Sequence, residues 1–295
     1  MQLLVAGASG FLGQALGRSL AQQGHQVVRL VRSDTSASDE ARWDPEHGEV
    51  DRELVEWADV VVNLAGASNV HFPWNDSYRR TFLESRTRTT RTLAEAIATS
   101  ERRPALLAQN GVAGYGDHGS TVIDESTPTD APTFMGDVTR QWEAATQPAS
   151  DAGARVVVMR TGVVLDKAGG ALKQMLIPFR LGLGGPIGPG TQYFATISLD
   201  DWVGAAAFLA LNDSASGAYN LTGPDPSTNA EFTHELARAL HRPAKLRVPG
   251  FALRAAGPIG GEVLASQRVE PRRLLDDGYA FAHNDVADRL KAALR

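Results

Sequence analysis

Three glycines in Gly7-Ala-Ser-Gly10-Phe-Leu-Gly13 make a G-x-x-G-x-x-G pattern. They follow an apolar run, Leu3–Ala6, that reads as a buried strand, and they open a helical pattern from Phe11 to about Gln23. A pyrophosphate docked on a helix N-terminus needs the backbone close to it, and side chains here would obstruct that approach. The strand–turn–helix setting separates this pattern from a chance glycine triplet. Gly7, Ser9, Gly10, Phe11, Leu12 and Gly13 are therefore candidate cofactor-binding residues. A second strand, Val27–Val31, runs into Arg32. An NAD site usually places a carboxylate at that strand end for the ribose hydroxyls, whereas Arg32 suits the 2′-phosphate of NADP(H) by bidentate pairing. Asp34, two residues on, is the carboxylate that an NAD site in shifted register would use. Asn63-Leu64-Ala65-Gly66 follows a third strand, where small residues let the chain pass a cofactor without a clash. Leu64, Ala65 and Gly66 join the candidate set, an ordinary strand-to-helix turn being the plainer reading.

These residues need a sheet to hold them. The runs Asp59–Leu64, Ala105–Gln109, Arg155–Leu165 and Gly217–Leu221 add further strands, with helical segments between them. Strands separated by helices imply parallel pairing with both faces covered. The predicted class is α/β, a Rossmann-type doubly wound parallel sheet with a smaller C-terminal α+β lobe. The dinucleotide-binding domain is assigned to 1–165, completed by roughly 195–222; the smaller lobe takes 166–194 and 223–295. Gly169-Gly170 and the Leu181–Gly190 stretch, rich in glycine and proline, are expected to break regular structure. Two helical patterns, Asn229–Leu240 and Val286–Leu294, are expected beyond Gly223, separated by a Gly/Pro-containing segment.

Composition bounds the partners. The net charge of −5 over 295 residues gives no basic field for nucleic acid or an anionic membrane. The arginine run Arg79, Arg80, Arg86, Arg88 and Arg91 reads as a solvated helix face. There are no cysteines, which removes disulfides, thiolate zinc sites and cysteine nucleophiles together. No histidine pair has metal-ligand spacing with a carboxylate, so no metal is expected. The opening residues read as a first strand, and no run approaches the ~18 apolar residues of a membrane span. A cytoplasmic monomer or homodimer, acting on a small molecule, is the expectation.

Taken together, these motifs resemble the extended short-chain dehydrogenase/reductase superfamily, to which the sequences at 7–13 and 63–66 are similar in order and spacing. The match sharpens to an atypical, sugar-nucleotide epimerase-like branch, also labelled a cell-division inhibitor type. Its marks are Trp43-Asp-Pro45, Ser85-Arg86, Gly114-Tyr115-Gly116, Trp142-Glu143, Arg160–Leu165, Pro178–Gly188, Asp200-Asp201, Ser266-Gln-Arg268 and Pro271. The resemblance covers essentially the whole chain. It implies a Rossmann core with a small C-terminal lobe, NADP(H) as cofactor and a substrate cleft between them.

That superfamily typically uses a tyrosine with a lysine one helical turn later, whose charge favours the phenolate. The five tyrosines here are followed four residues on by Phe82, Gly119, Ile197, Gly223 and His283, so no such dyad exists. Aligning on Glu143 puts Met135 and Thr139 in its place. The partner serine's position falls in Gln109-Asn110-Gly111, and Asn110 can orient a carbonyl by hydrogen bonding. Gly114 stands where the branch usually has a second tyrosine, and Thr196-Ile197-Ser198 where it tends to have Trp-Ile-His. Tyr115, on a glycine-flanked loop at a strand end, is the candidate acid–base group with Asn110; a packed aromatic is its plainer reading. Asp200-Asp201 reads as a helix N-cap before Trp202–Leu211. Asp117 and His118 read as solvent-exposed, and Arg180 and Arg268 either meet an anionic substrate or bridge the lobes. Two functions follow: an NADP(H)-dependent oxidoreductase or epimerase acting on a small, free or nucleotide-linked substrate, with Leu181–Gly190 lining its cleft, or a non-catalytic NADP(H)-dependent sensor.

Overall fold

The computed structural model describes residues 1–69, 71, 73–250 and 257–295, apart from the Ile259 side chain. Its core is a seven-stranded sheet built from β1 (Gln2–Ala6), β2 (Gln26–Val31), β3 (Glu40–Arg42), β4 (Val60–Asn63), β5 (Ala105–Gly111), β7 (Val156–Thr161) and β11 (Gly217–Leu221). The order is β11-β7-β5-β4-β1-β2-β3, and every pair is parallel. A short β6 (Val122–Ile123) lies outside it.

Alternation along the strands explains the layering. Leu3 and Val5 pack with Leu16 and Leu20 of α1 (Phe11–Gln22) and Trp202 of α7 (Leu199–Leu211). Leu4 and Ala6 turn the other way, onto Val55 of α2 (Arg52–Trp57) and Leu93 and Ile97 of α3 (Asp76–Thr99). Val60 and Val62 against Val61, and Leu107 against Leu106, divide in the same way. A side-chain period of two with both faces apolar requires helices on both sides.

The chain order reverses between β1 and β4, which opens a crevice outside their carboxyl ends. That is where the loops 7–13 and 64–66 lie.

The predicted run Arg155–Leu165 is two strands, not one. β7 ends at Thr161, and β8 (Val163–Leu165) pairs instead with β10 (Thr196–Ser198). The break falls at Gly162, where a Cβ would lie 2.8 Å from the Ala195 carbonyl oxygen, so the chain can pass that backbone only without a side chain. An unforeseen helix, α6 (Gly170–Arg180), sits between the two glycine-rich stretches, carrying Pro178 near its end. After β9 (Tyr193–Phe194) and β12 (Ser227–Thr228) come α8 (Asn229–Leu240), α9 (Pro258–Leu264), β13 (Arg268–Val269), α10 (Arg272–Asp276) and α11 (Val286–Ala293). Residues 251–256 of the predicted Gly/Pro-containing segment lie outside the described residues. Leu172, Leu176, Phe179, Phe194, Phe232 and Leu290 form a separate apolar cluster joining α6, α8 and α11. Among the described residues no helix is long and apolar enough to cross a membrane.

Candidate functional site

The site is built where β1 hands over to α1. Gly10 is the α1 N-cap, with extended backbone and no side-chain cap, so the first-turn N–H groups of Phe11, Leu12 and Gly13 face outward without intrahelical acceptors. No acidic residue occupies that turn, which leaves the positive end of the helix dipole open to an anion. Ser9 and Gly10 are exposed, and the Ser9 carbonyl accepts from the Gln14 side chain at 2.8 Å.

Two of the glycines are required sterically. Gly7 has φ +76°, and a Cβ there would lie 2.6 Å from the Leu64 carbonyl carbon and 2.7 Å from the Ala65 nitrogen. At Gly13 it would meet the Gly7 carbonyl oxygen at 2.3 Å. The loops after β1 and β4 therefore touch backbone to backbone. Asn63 holds the second loop: fully buried, it accepts from the Ala65 N–H at 3.1 Å and donates to Thr90 Oγ1 at 2.8 Å. The Phe11 ring lies against Gly169-Gly170, where a Cβ at Gly169 would come within 2.4 Å of it. Phe11 thus offers its amide to the crevice while its side chain ties α1 to the start of α6.

At the far end of the crevice Arg32 is exposed at the tip of β2, with no ion pair among the described residues. Sequence reasoning did not find its neighbour: β3 pairs Arg42 with Val31, placing a second arginine at the same sheet corner. Arg42 bonds Asp34 at 3.4 Å. The carboxylate that a shifted NAD register would use is already facing a cation.

The arginine run is not uniformly a solvated face. Arg88 and Arg91 make surface pairs with Glu84 and Glu95, as expected of one. Arg86 is buried instead, donating to the Ala67 carbonyl at 3.1 Å and to Asn69 Oδ1 at 2.8 Å, with its guanidinium 3.5 Å from the Phe82 ring centre. Burial pulls its pKa down to about 10. A Cβ on Gly66 would sit 3.3 Å from this side chain, so Arg86 props the loop after β4 from below.

The structure draws the two candidate catalytic residues inward. Tyr115 is 2% exposed; its hydroxyl donates to Asn220 Oδ1 at 2.8 Å and accepts from Arg160 Nη1 at 3.0 Å. Burial pushes the phenol pKa up, and the Arg160 charge only partly offsets that. Asn110 is buried with both ends engaged, donating to the Thr139 carbonyl and accepting from the Gly111 N–H. Both side chains are engaged in internal hydrogen bonds at the strand end. Met135 packs beside Phe82 and Val138, and Thr139 bonds the Gly136 carbonyl. A Cβ at Gly114 would lie 2.8 Å from Thr139 Oγ1, which accounts for glycine in place of a tyrosine.

Several family marks form one scaffold around Tyr115. Arg160 bonds Glu143 through both Nε and Nη2, and Trp142 Nε1 donates to Thr90. Removing Glu143 strands a guanidinium that is only 9% exposed. Glu143 itself is a third exposed, so Glu143→Ala is expected to cost about 2 kcal/mol in chemical denaturation, below the full loss of a buried pair. An unchanged midpoint would remove the scaffold role.

Asp200-Asp201 does not supply the cap. Ser198 is the N-cap of α7, and Asp201 is buried, accepting from Ser198 Oγ and from the Ala282 and His283 N–H groups. His118 is half-buried rather than exposed, bonding the Tyr115 carbonyl, while Asp117 is exposed and accepts from the Ser266 N–H. Arg180 is exposed, and Arg268 lies over the Tyr193 ring at 5.2 Å. Leu181–Gly190 runs alongside residues 246–248, with Gly188 N–H to the Val248 carbonyl at 2.9 Å and Val248 N–H to the Pro186 carbonyl at 3.0 Å. A cavity of about 480 Å³ lies elsewhere, between the start of α4 (Phe134–Ala144), the loop after β5 and α9. None of the Leu181–Gly190 residues lines it.

Comparison with known proteins agrees with this architecture. Residues 3–161 match the NAD dependent epimerase/dehydratase family, and residues 248–293 match a domain of unknown function, DUF1731. An epimerase family protein of Mycobacterium bovis is 40% identical over 97% of this chain and 95% of its own. The crystal structure of the human epimerase family protein SDR39U1 with NADPH is 34% identical, covers 99% of both chains and superposes with a TM-score of 0.90. A nucleoside-diphosphate sugar epimerase from Corynebacterium glutamicum, 32% identical with a TM-score of 0.81, covers 99% of this chain, which spans 58% of that one. The chain therefore belongs to the NAD dependent epimerase/dehydratase family, in an atypical extended short-chain dehydrogenase/reductase branch without the tyrosine–lysine pair.

Proposed function

We propose that this protein binds NADP(H) and uses it as an oxidoreductase or epimerase-like enzyme on a small carbonyl or hydroxyl substrate, free or nucleotide-linked. One observation carries the reading: the Gly7 and Leu64 backbones meet beside an uncapped helix N-terminus, with an exposed arginine, unpaired among the described residues, at the end of the neighbouring strand. The amides of Phe11, Leu12 and Gly13 would hold the pyrophosphate, Leu64–Gly66 would flank the cofactor, and Arg32 would take the 2′-phosphate. When bound, the cofactor supplies or accepts the hydride. The human relative solved with NADPH supports the choice of cofactor.

A second reading has an observation of its own. Tyr115 and Asn110 are sealed in internal hydrogen bonds, which suits an NADP(H) binder whose occupancy is read by a partner. Titrating the protein with NADPH and NADH by nicotinamide fluorescence, then following NADPH absorbance with carbonyl compounds and NADP+ reduction with hydroxyl compounds and sugar nucleotides, separates the two. Tight NADPH binding with turnover is expected. Binding without turnover selects the sensor, and absence of binding contradicts both.

A further inference from the structure

The 480 Å³ cavity lies among segments that follow strands of the central sheet. Arg79 reaches it from the start of α3, after β4; Gly116 and Asp117 come from the loop after β5; Thr133 and Met135 open α4. These elements follow the carboxyl ends of β4 and β5, beside the crevice described above, which is where doubly wound sheets bind ligands. Met135 stands where the superfamily's proton-transferring tyrosine would, and it faces this cavity with a thioether that can do no acid–base work. Glu262 of α9 also lines it. We propose that Glu262 is the catalytic acid–base residue, exchanging the proton with the reacting oxygen of a substrate held in this cavity. The proposal rests on the oxidoreductase reading.

The surroundings suit the role. Among the described residues the Glu262 side chain accepts one hydrogen bond, from Thr133 Oγ1 at 3.3 Å, and makes no ion pair. The other charged groups lining the cavity are Arg79, which makes no ion pair with it, and Asp117, whose Oδ1 accepts from the Gly119 and Ser266 N–H groups. Burial, little relieved by the Thr133 bond, pushes the Glu262 carboxyl up to about 7. Glu125 is also raised by burial, but its oxygens accept from the Asn220 and Arg273 N–H groups and are committed to packing. Among the described residues these two carboxyls share the direction of shift, and Glu262 is the one that lines this cavity. A general acid is most effective with its pKa near the working pH.

Arg79 adds a substrate class. Its Nε is buried with no hydrogen-bond partner among the described residues, and its guanidinium lies 5.5 Å from the Phe134 ring centre. A carboxylate or phosphate on the substrate would satisfy it. In carbonyl reduction, the carbon receives the hydride from NADPH and the oxygen receives the Glu262 proton. The carbonyl π bond breaks as the C–H and O–H bonds form, leaving NADP+, the alcohol and a glutamate carboxylate that water reprotonates.

Two measurements test this. In apo protein carrying 13C-labelled glutamate, a carboxyl resonance absent from Glu262→Gln should titrate near pH 7; a midpoint near the ordinary 4.5 overturns the proposal. With NADPH and carbonyl probes bearing an anion (2-oxo acids and ketose phosphates), Glu262→Gln should lower kcat/KM by about 10²–10⁴-fold. Its NADPH affinity should stay within about twofold of wild type, which shows that the variant is folded. The wild-type kcat/KM for reduction should be full below pH 7 and fall above it, and this limb should vanish in the variant. Undiminished turnover in Glu262→Gln overturns the proton role and leaves the cofactor reading standing. NADPH binding without turnover of any probe in wild type overturns both this role and the enzymatic reading, and absence of binding overturns the function itself.

Discussion

Gly7→Ala is expected to weaken NADPH by at least ~100-fold, because the added methyl would drive two backbones apart. At φ +76° alanine is already strained by about 1–2 kcal/mol. The larger effect is contact: the Cβ would lie 2.6 Å from the Leu64 carbonyl carbon, and neither backbone can rotate away as a side chain could. Separation of the loops by about 1 Å spoils both walls of the crevice together, and misplacements of that size can cost ~100-fold. Gly17→Ala is the control. It lies in the same helix with nothing within 4 Å of its would-be Cβ, so it should leave affinity unchanged and stabilise the helix by about 0.8–1 kcal/mol. Fluorescence titration of both variants, with circular dichroism to confirm folding, makes the comparison. Equal NADPH affinity in Gly7→Ala and wild type would contradict the crevice assignment.

Arg32→Ala should weaken NADPH by about 10- to 150-fold and leave NADH nearly unchanged. A hydrogen bond to a charged partner is worth about 1.5–3 kcal/mol, and only NADPH carries the 2′-phosphate. Arg32 is exposed, so its substitution removes a contact without opening the core. The discrimination should fall with rising salt, as expected for an exposed charge pair. Arg42→Ala should have the smaller effect, since that side chain already faces Asp34 at 3.4 Å. Parallel loss of NADH and NADPH affinity in Arg32→Ala would defeat the NADP(H) preference.

The parts of the fold legible in the sequence were those written in local pattern. β1, β2 and β4 are apolar runs at strand length, and the glycines between β1 and α1 mark a close approach wherever they occur. β3 was not legible. Glu40-Ala-Arg42 has no apolar pattern, and it becomes a strand because β2 offers it an edge and Arg29 pairs with Asp39 and Glu40. The division of 155–165 at Gly162 depends on the Ala195 backbone, more than thirty residues away. Tyr115 was legible only as a choice between chemistry and packing, because the partner of its hydroxyl, Asn220, lies 105 residues later. Arg86 lies in a charged run, and only the folded loop after β4 reveals that it is buried. Glu262, in a glycine-rich stretch with no periodicity, meets Thr133 across 129 residues, and no local signal could have paired them.

A crystal structure of the protein grown with NADPH tests the central claim most directly. It should show the pyrophosphate against the amides of residues 11–13, the chain at Leu64–Gly66 beside it, and the 2′-phosphate within hydrogen-bonding distance of Arg32. A corner left empty at saturating NADPH, or a cofactor bound away from the β1–α1 turn, would contradict the account.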